Sequence, residues 1–275
     1  MNKTTIAIHG AAGRMGQRLI ALGHEDPTLT IASAIDAADH PQIGTDAGLL
    51  AGIGELGVPL GTNIATTVSA IIDFSTPAAT DKIIDQAQEH QVPLVVATTG
   101  LGESTIEKLT QLATQQPVVW APSMSLAVNV AMKLAAAAGE ALRAVSSGVD
   151  VEIVETHHRF KADAPSGTAL KFGEIIADVM DMPHEQHGRE GQTGARPQNE
   201  IGYHAIRSGD NPGEHRIVFG MLGESIELTV KASNRDCYAL GALSAAKFVC
   251  QQSPGLYSMN DVIWPNSREQ NCGEV

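Results

Sequence analysis

Thr5-Ile6-Ala7-Ile8-His9-Gly10-Ala11-Ala12-Gly13-Arg14-Met15-Gly16 is the stretch on which the architecture hinges. A short apolar run, Thr5–Ile8, reads as a buried strand. It meets a glycine cluster at once, and a helical pattern follows from Met15 to Gly23. A strand-to-helix turn of this kind lets backbone N–H groups approach a pyrophosphate, and the helix N-terminus adds roughly half a positive charge. Glycine is needed there because a Cβ blocks the approach or resists positive φ. The spacing is Gly-x-x-Gly-x-x-Gly rather than the strict Gly-x-Gly-x-x-Gly, so its surroundings matter. Asp36 ends the next strand candidate, Leu29–Ile35, 20 residues beyond Gly16. A carboxylate at that place accepts hydrogen bonds from an adenosine ribose. Ala37 follows it, and no Arg or Lys stands nearby in the sequence to hold a 2′-phosphate. NADH is therefore expected to serve at least as well as NADPH.

Beyond this turn, apolar runs and amphipathic stretches alternate. Strands are expected at 70–74, 94–97 and 118–120, and helices at 77–90 and about 103–115, with Pro77 at a first turn where its missing N–H costs nothing. Continuously apolar strands between helices imply a parallel sheet covered on both faces. Residues 39–63 are Gly-rich without a clear period and read as loop. From 127 to 145 the chain is Ala-rich and helical, and then the pattern changes. An alternating strand at 149–153 precedes a helix at 168–180, a polar loop at about 182–199, and three strands in succession at 201–207, 215–222 and 225–231. Such succession suggests an antiparallel or mixed sheet. A helix at 238–251 and an irregular tail complete the chain. The expected class is α/β: a Rossmann-type parallel sheet from residues 1–126 and 240–275, with an inserted α+β mixed-sheet domain at 127–239.

The chain has 275 residues and a formal net charge of −13, with 18% charged and 43% hydrophobic residues. That balance suits a globular protein and argues against binding to nucleic acid or anionic membranes, which requires a broad positive field. No apolar run reaches the roughly 18 residues of a membrane span, and the N-terminus does not read as a signal peptide. Cys237, Cys250 and Cys272 are sparse and odd in number, which fits a reducing compartment, and the expected location is cytoplasmic.

The cations are unevenly spread. Residues 127–239 hold 11 of the 18 Lys and Arg residues. Within them stands Glu155-Thr156-His157-His158-Arg159-Phe160-Lys161-Ala162-Asp163-Ala164-Pro165-Ser166-Gly167-Thr168-Ala169, where four potential cations fall in five positions after a strand. Pro165–Thr168 is a turn into a helix, with Ser166 or Thr168 placed to cap it. Its free N–H groups make an anion site. Two imidazoles, an ammonium and a helix N-terminus together describe a receptor for a small carboxylate-bearing molecule, and one of those groups can deliver a proton near neutral pH. No metal is expected. The adjacent His157 and His158 do not readily share an ion, no acidic or Cys partner has ligand spacing, and His184–His187 reads as a loop feature.

These residues carry a resemblance. Gly10–Gly16, then Ala97-Thr98-Thr99-Gly100, and above all His157-His158-Arg159-x-Lys161-x-Asp163-Ala164-Pro165-Ser166-Gly167-Thr168-Ala169 closely resemble the 4-hydroxy-tetrahydrodipicolinate reductase (dihydrodipicolinate reductase) family of the diaminopimelate route to lysine. Arg189-Glu190-Gly191, Gly213-Glu214-His215 and Lys231-Ala232-Ser233-x-Arg235 fit the same pattern. The resemblance implies a homotetramer built through the second domain, and hydride transfer from NADH or NADPH to C4 of a cyclic conjugated imine with protonation at the neighbouring carbon. By it, His157 is the proton donor/acceptor and Lys161 the proton donor. His158 contacts the dicarboxylate substrate, and the Gly167 and Thr168 amides cradle a carboxylate. It places the pyrophosphate on Gly10, Ala11, Ala12, Gly13, Arg14 and Met15, and the ribose on Asp36. The nicotinamide end falls to Ala97, Thr98, Thr99, Ala121, Pro122, Ser123 and Met124. Ala97 stands where members often have Gly and Met124 where they often have Phe, and the stretch Ser75-Thr76-Pro77-Ala78 lacks the Arg that some members place there near the cofactor. A different amino- or keto-acid dehydrogenase of this two-domain plan would not call for His157, His158 and Lys161 together, and a non-catalytic dinucleotide sensor could dispense with a proton donor.

Overall fold

The computed structural model describes residues 3–65 and 67–265. It divides into two compact units, one holding the chain up to Leu126 and again from Arg235, the other Ala127–Asn234. The chain returns to the first unit at Arg235 rather than at 240. Cys272 and the end of the expected 240–275 segment lie outside the described residues.

In chain order the first unit runs β1 (Thr4–His9), α1 (Arg14–Glu25), β2 (Leu29–Ile35), α2 (Ala47–Ala51), β3 (Leu60–Gly61), β4 (Ala70–Asp73), α3 (Pro77–His90), β5 (Leu94–Val96), α4 (Glu103–Ala113) and β6 (Pro117–Trp120). The second follows with α5 (Leu126–Leu142), β7 (Asp150–His157), α6 (Gly167–Met180), β8 (His184–His187), β9 (Glu200–Arg207), β10 (Glu214–Met221) and β11 (Glu224–Lys231). The chain then comes back with α7 (Asp236–Val249), β12 (Gly255–Tyr257) and α8 (Met259–Ile263).

The first sheet is parallel throughout, in the order β12-β6-β5-β4-β1-β2-β3. Ile6, Ile8, Ile71, Ile72, Val95 and Val119 in its central strands are fully buried, as expected for strands covered on both faces. Strand order reverses between β1 and β4, and ligands of such sheets bind in the crevice at that switch point. Asp236 at the start of α7 takes a two-pronged ion pair from Arg18 of α1 at 2.6 and 2.9 Å, so α7 belongs to this unit from its first turn.

The second sheet has the order β11-β10-β7-β9-β8. β10 is antiparallel to both β11 and β7, whereas β9 is parallel to both β7 and β8, so the sheet is mixed. Along β7 burial alternates: Val151, Ile153, Glu155 and His157 point inward. Ile217 and Phe219 of β10 and Phe172 of α6 complete the apolar layer. Each of these aromatic side chains contributes roughly 2–3 kcal/mol by burial. The inward face of β7 thus passes from apolar to polar within one strand, and that end becomes the site.

Three segments differ from the pattern-based expectation. Residues 39–63 fold around one carboxylate: Asp46 accepts N–H groups of Gly48, Leu49, Leu56 and Val58, which organises α2 and the approach to β3. His184–His187 forms the edge strand β8 rather than a loop, and His187 stacks on Tyr203 at 5.2 Å. The C-terminal segment adds β12 to the first sheet, followed by α8.

Candidate active site

In the first unit, a cavity of about 430 Å³ opens at the switch point, lined by Gly10, Ala12, Gly13, Asp36, Thr76 and Lys82 among others. Gly10 has φ +76°, and a Cβ there would lie 2.5 Å from the Phe74 carbonyl oxygen. At Gly16 a Cβ would meet the Gly10 oxygen at 2.2 Å, so α1 can pack this tightly on the turn only with glycine. Asp36 accepts the Ala12 N–H through Oδ2 and the Ala37 N–H through Oδ1, both at 2.9 Å, tying the end of β2 to the glycine turn.

Beside this cavity, Asp73 is fully buried at the end of β4. It accepts from His9 Nδ1 and from the hydroxyls of Ser75, Thr80 and Thr98 at 2.6–2.8 Å. Burial alone would raise the Asp73 carboxyl, but His9 and the hydroxyls outweigh it and hold the group below its ordinary range.

The second unit gathers a denser set. Glu155, 1% exposed, accepts His157 Nδ1–H at 2.6 Å, both terminal nitrogens of Arg207 at 2.7 Å, and the Ser166 N–H at 3.0 Å. Register brings these groups together. Glu155 and His157 lie two apart on one face of β7, Arg207 of β9 is the partner of His157, and His215 of β10 is the partner of Glu155. With Nδ1–H donated to a carboxylate, His157 keeps Nε2 as its open nitrogen. Burial holds the His157 imidazole below its ordinary value against the upward pull of Glu155, and Lys161 and Arg207 add to the lowering.

Ser166 is the N-cap of α6: its Oγ accepts the Ala169 N–H at 3.2 Å and shares a hydrogen bond with His215 Nε2 at 3.0 Å. Among the described residues no acceptor takes the N–H of Gly167 or Thr168, which leaves two donors at the positive end of the helix. Lys161 follows a tight turn, its N–H bonded to the His158 carbonyl, and its ammonium donates to Asp163 at 2.8 Å. His158 Nδ1 is buried with no partner. The His157 imidazole with Nε2 free, the Lys161 ammonium and two open amides can bind a carboxylate and exchange protons.

The sequence agrees with this geometry. The N-terminal model of dihydrodipicolinate reductase matches residues 4–124, and the C-terminal model matches residues 127–263. The chain belongs to the dihydrodipicolinate reductase family. A 4-hydroxy-tetrahydrodipicolinate reductase of Rhodopirellula baltica is 56% identical over 94% of this chain and 95% of that protein, and one of Halorhodospira halophila is 46% identical over 94% and 98%. Among solved structures, dipicolinate-bound dihydrodipicolinate reductase from Paenisporosarcina sp. TG-14 superposes with a TM-score of 0.76 at 25% identity, covering 94% of this chain and 99% of that one. An amine dehydrogenase from Mycobacterium smegmatis shares the fold at 12% identity and a TM-score of 0.61.

The positions singled out by resemblance to the dihydrodipicolinate reductase family fall into distinct groups. Gly10, Ala12, Gly13 and Asp36 share the first-unit cavity, whereas Ala11 is buried and Arg14 and Met15 lie at the start of α1, outside the cavity wall. Ala97, Ala121 and Met124 are buried in the first core. Thr99 and Pro122 are exposed, Ser123 is half-buried, and the Thr98 hydroxyl is occupied by Asp73 and the Ser75 N–H. His157, His158, Lys161, Gly167 and Thr168 all stand between the end of β7 and the start of α6. Sequence reasoning missed Glu155, Arg207 and His215 as parts of this site. Glu155 had a signal, since it lies two residues before His157 on a strand. His215 had only the family pattern Gly213-Glu214-His215, and Arg207 had none without the register. Nor does the absence of a cation near Asp36 extend beyond the local sequence: the fold carries Lys82 of α3 and His40 into the same cavity. Among the described residues no group of three or more His, Cys, Asp or Glu side chains gathers to hold a metal, and no helix is long and apolar enough to cross a membrane.

The histidines set a pH dependence. Burial pushes His215 down to about 4, with the charge of His157 next in effect. The folded state therefore keeps His215 neutral where the unfolded chain, at its ordinary value near 6.5, takes up a proton. Its contribution is fully present above about pH 6.5 and lost as pH falls to about 4, amounting to roughly 3 kcal/mol. Glu155, whose carboxyl is also held below its ordinary value, adds a loss only beneath the usual carboxylate range. Urea unfolding of the wild type at pH 7.5 and 4.5 is expected to show this decline, and His215→Gln should flatten it. An equally steep decline in that variant would remove His215 as its source.

Proposed function

We propose that the protein reduces 4-hydroxy-tetrahydrodipicolinate, through dihydrodipicolinate, to tetrahydrodipicolinate in diaminopimelate and L-lysine biosynthesis. The observation that carries this reading is Glu155. One buried carboxylate ties His157, Arg207 and the first residue before α6 into a single frame, so a proton-exchanging imidazole and carboxylate-binding amides hold fixed positions. A dinucleotide held by the Gly10–Gly13 turn and Asp36 would supply the hydride that C4 of the conjugated imine receives.

The chain's own groups do the rest. Gly167 and Thr168 N–H donate to one substrate carboxylate, and His158 contacts the substrate. Lys161 donates the proton that completes the reduction at the carbon next to C4, and His157 Nε2 accepts or returns a proton at the same substrate edge. Charge-assisted hydrogen bonds of about 1.5–3 kcal/mol each suffice to hold a small dianion.

In the first unit the Gly10–Gly13 turn suits a pyrophosphate. Gly10 and Gly13 line the cavity, Gly10 and Gly16 let the turn pack tightly against Phe74 and α1, and Asp36 suits the ribose hydroxyls. Arg14 and Met15 flank the pyrophosphate, and the nicotinamide end lies by Ala97–Thr99 and Ala121–Met124. NADH is used at least as well as NADPH. The protein acts in the cytoplasm, and Cys237 and Cys250 form no disulfide. It assembles as a homotetramer through the second unit: the edge strand β11 is largely exposed, with Leu222 and Ile226 open to solvent, and a partner copy would cover that edge.

The test is a coupled assay in which a synthase condenses pyruvate with aspartate semialdehyde and this protein is then added with NADH or NADPH. Rapid substrate-dependent cofactor oxidation is expected, with NADH no worse than NADPH. No oxidation above background overturns the activity, and a tenfold or greater advantage for NADPH overturns the cofactor order.

A further inference from the structure

The first-unit cavity holds a cation that the expected chemistry does not use. Residues 1–126 contain only five Lys and Arg residues against twelve Asp and Glu, so a free positive charge on this unit stands out. Arg18 is committed to Asp236. Lys108 of α4 lies 4.0 Å from Asp81 and 3.6 Å from Asp85, the two acids that flank Lys82 on α3. Those acids are thereby drawn toward α4, and among the described residues Lys82 has no ion-pair or hydrogen-bond partner. Lys82 instead lines the cavity that contains Asp36.

The surroundings of Lys82 are fixed. Gln86, one turn further along α3, accepts the Ile64 N–H and donates to the Thr62 carbonyl, each at 3.2 Å, which fastens α3 to the segment after β3. Across the same cavity, His40 follows the end of β2. Its Nδ1 accepts the Gln42 N–H at 3.3 Å, which leaves the other ring nitrogen free of that bond. Asp36 is satisfied by two backbone N–H groups and can still accept from a ribose hydroxyl, but its charge opposes a phosphate at the same place. A phosphomonoester beside Asp36 therefore needs a counter-charge from another wall of the cavity. Lys82 is the ammonium placed to supply it.

We propose that Lys82 is the residue through which this cavity accepts the 2′-phosphate of NADPH, with His40 beside it, while the ribose of NADH is held through Asp36 alone. This rests on the reading of the cavity as the dinucleotide site. It adds a determinant on α3, 46 residues from Asp36 in the chain, that separates the two cofactors.

The test is equilibrium binding of NADH, NADPH, ADP and 2′,5′-ADP to the wild type, Lys82→Gln and Lys82→Arg. Lys82 is exposed on α3, so both variants should fold. In Lys82→Gln, the dissociation constants of NADPH and 2′,5′-ADP are expected to rise by about tenfold relative to those of NADH and ADP. Lys82→Arg should recover most of that difference, and added salt should shrink it in the wild type. Equal weakening of both pairs, or no weakening of either, overturns the assignment. If the wild type binds neither NADH nor NADPH, the dinucleotide reading falls and the assignment falls with it.

Discussion

Replacing Lys161 by Ala is expected to lower kcat by about 10²–10⁴-fold, the usual contribution of a positioned proton donor. Lys161 sits on the turn between β7 and α6 and does not line the first-unit cavity proposed for the dinucleotide, so NADH binding should stay near the wild-type value. Its ammonium is held by Asp163, an exposed residue, and not by the buried Glu155 network. The side chain is thus oriented but remains able to leave Asp163 for a substrate. Folding should be little affected, because a surface pair of this kind contributes at most about 1 kcal/mol. Steady-state kinetics together with a dinucleotide titration separate the two effects. Unchanged turnover in the variant would take Lys161 out of the mechanism.

The largest expected effect on stability is at Arg207. Replacing it by Met removes the two-pronged partner of Glu155, which is 1% exposed and cannot recover its lost hydration. Burial raises the Glu155 carboxyl, and the Arg207 and His157 hydrogen bonds are what reverse that effect. Removing one partner of a buried ion pair costs about 3–5 kcal/mol, and the loss should appear in the unfolding of the second unit. Arg207 also donates to the Asp163 carbonyl, so the turn that carries Lys161 should loosen as well. In a Glu155→Gln background, with the buried charge gone, the same replacement should cost only about 1 kcal/mol. Equal costs in the two backgrounds would show that Arg207 acts by packing and not by compensating Glu155.

What the sequence made legible follows from the range of the interactions. The glycine turn of β1–α1 and the cap of α6 are local, and both stand where spacing and cap chemistry put them. The order of apolar runs likewise yields a parallel sheet followed by a mixed one. Residues 39–63 escaped because Asp46 holds them by four backbone hydrogen bonds, an arrangement with no hydrophobic period to read. β8 escaped because an edge strand of His-Glu-Gln-His has no apolar alternation. In the second unit the His157–Thr168 cluster was visible as a run, whereas Arg207 and His215 arrive from strands that only sheet register brings near; in the first unit, Lys82 reaches its own cavity only through the packing of α3. The residues proposed to move protons were legible as a run; the groups that fix them in place were not.

The central claim is that this chain directs a hydride to C4 of the cyclic imine while its own residues supply the proton. The direct test is the coupled assay run with NADH carrying deuterium in the transferable position at nicotinamide C4, followed by NMR and mass analysis of the product. The account predicts one deuteron at ring C4 and one solvent-derived hydrogen at the neighbouring carbon for each NADH consumed. A product with deuterium at another carbon, or NADH consumed without labelled product, would contradict it.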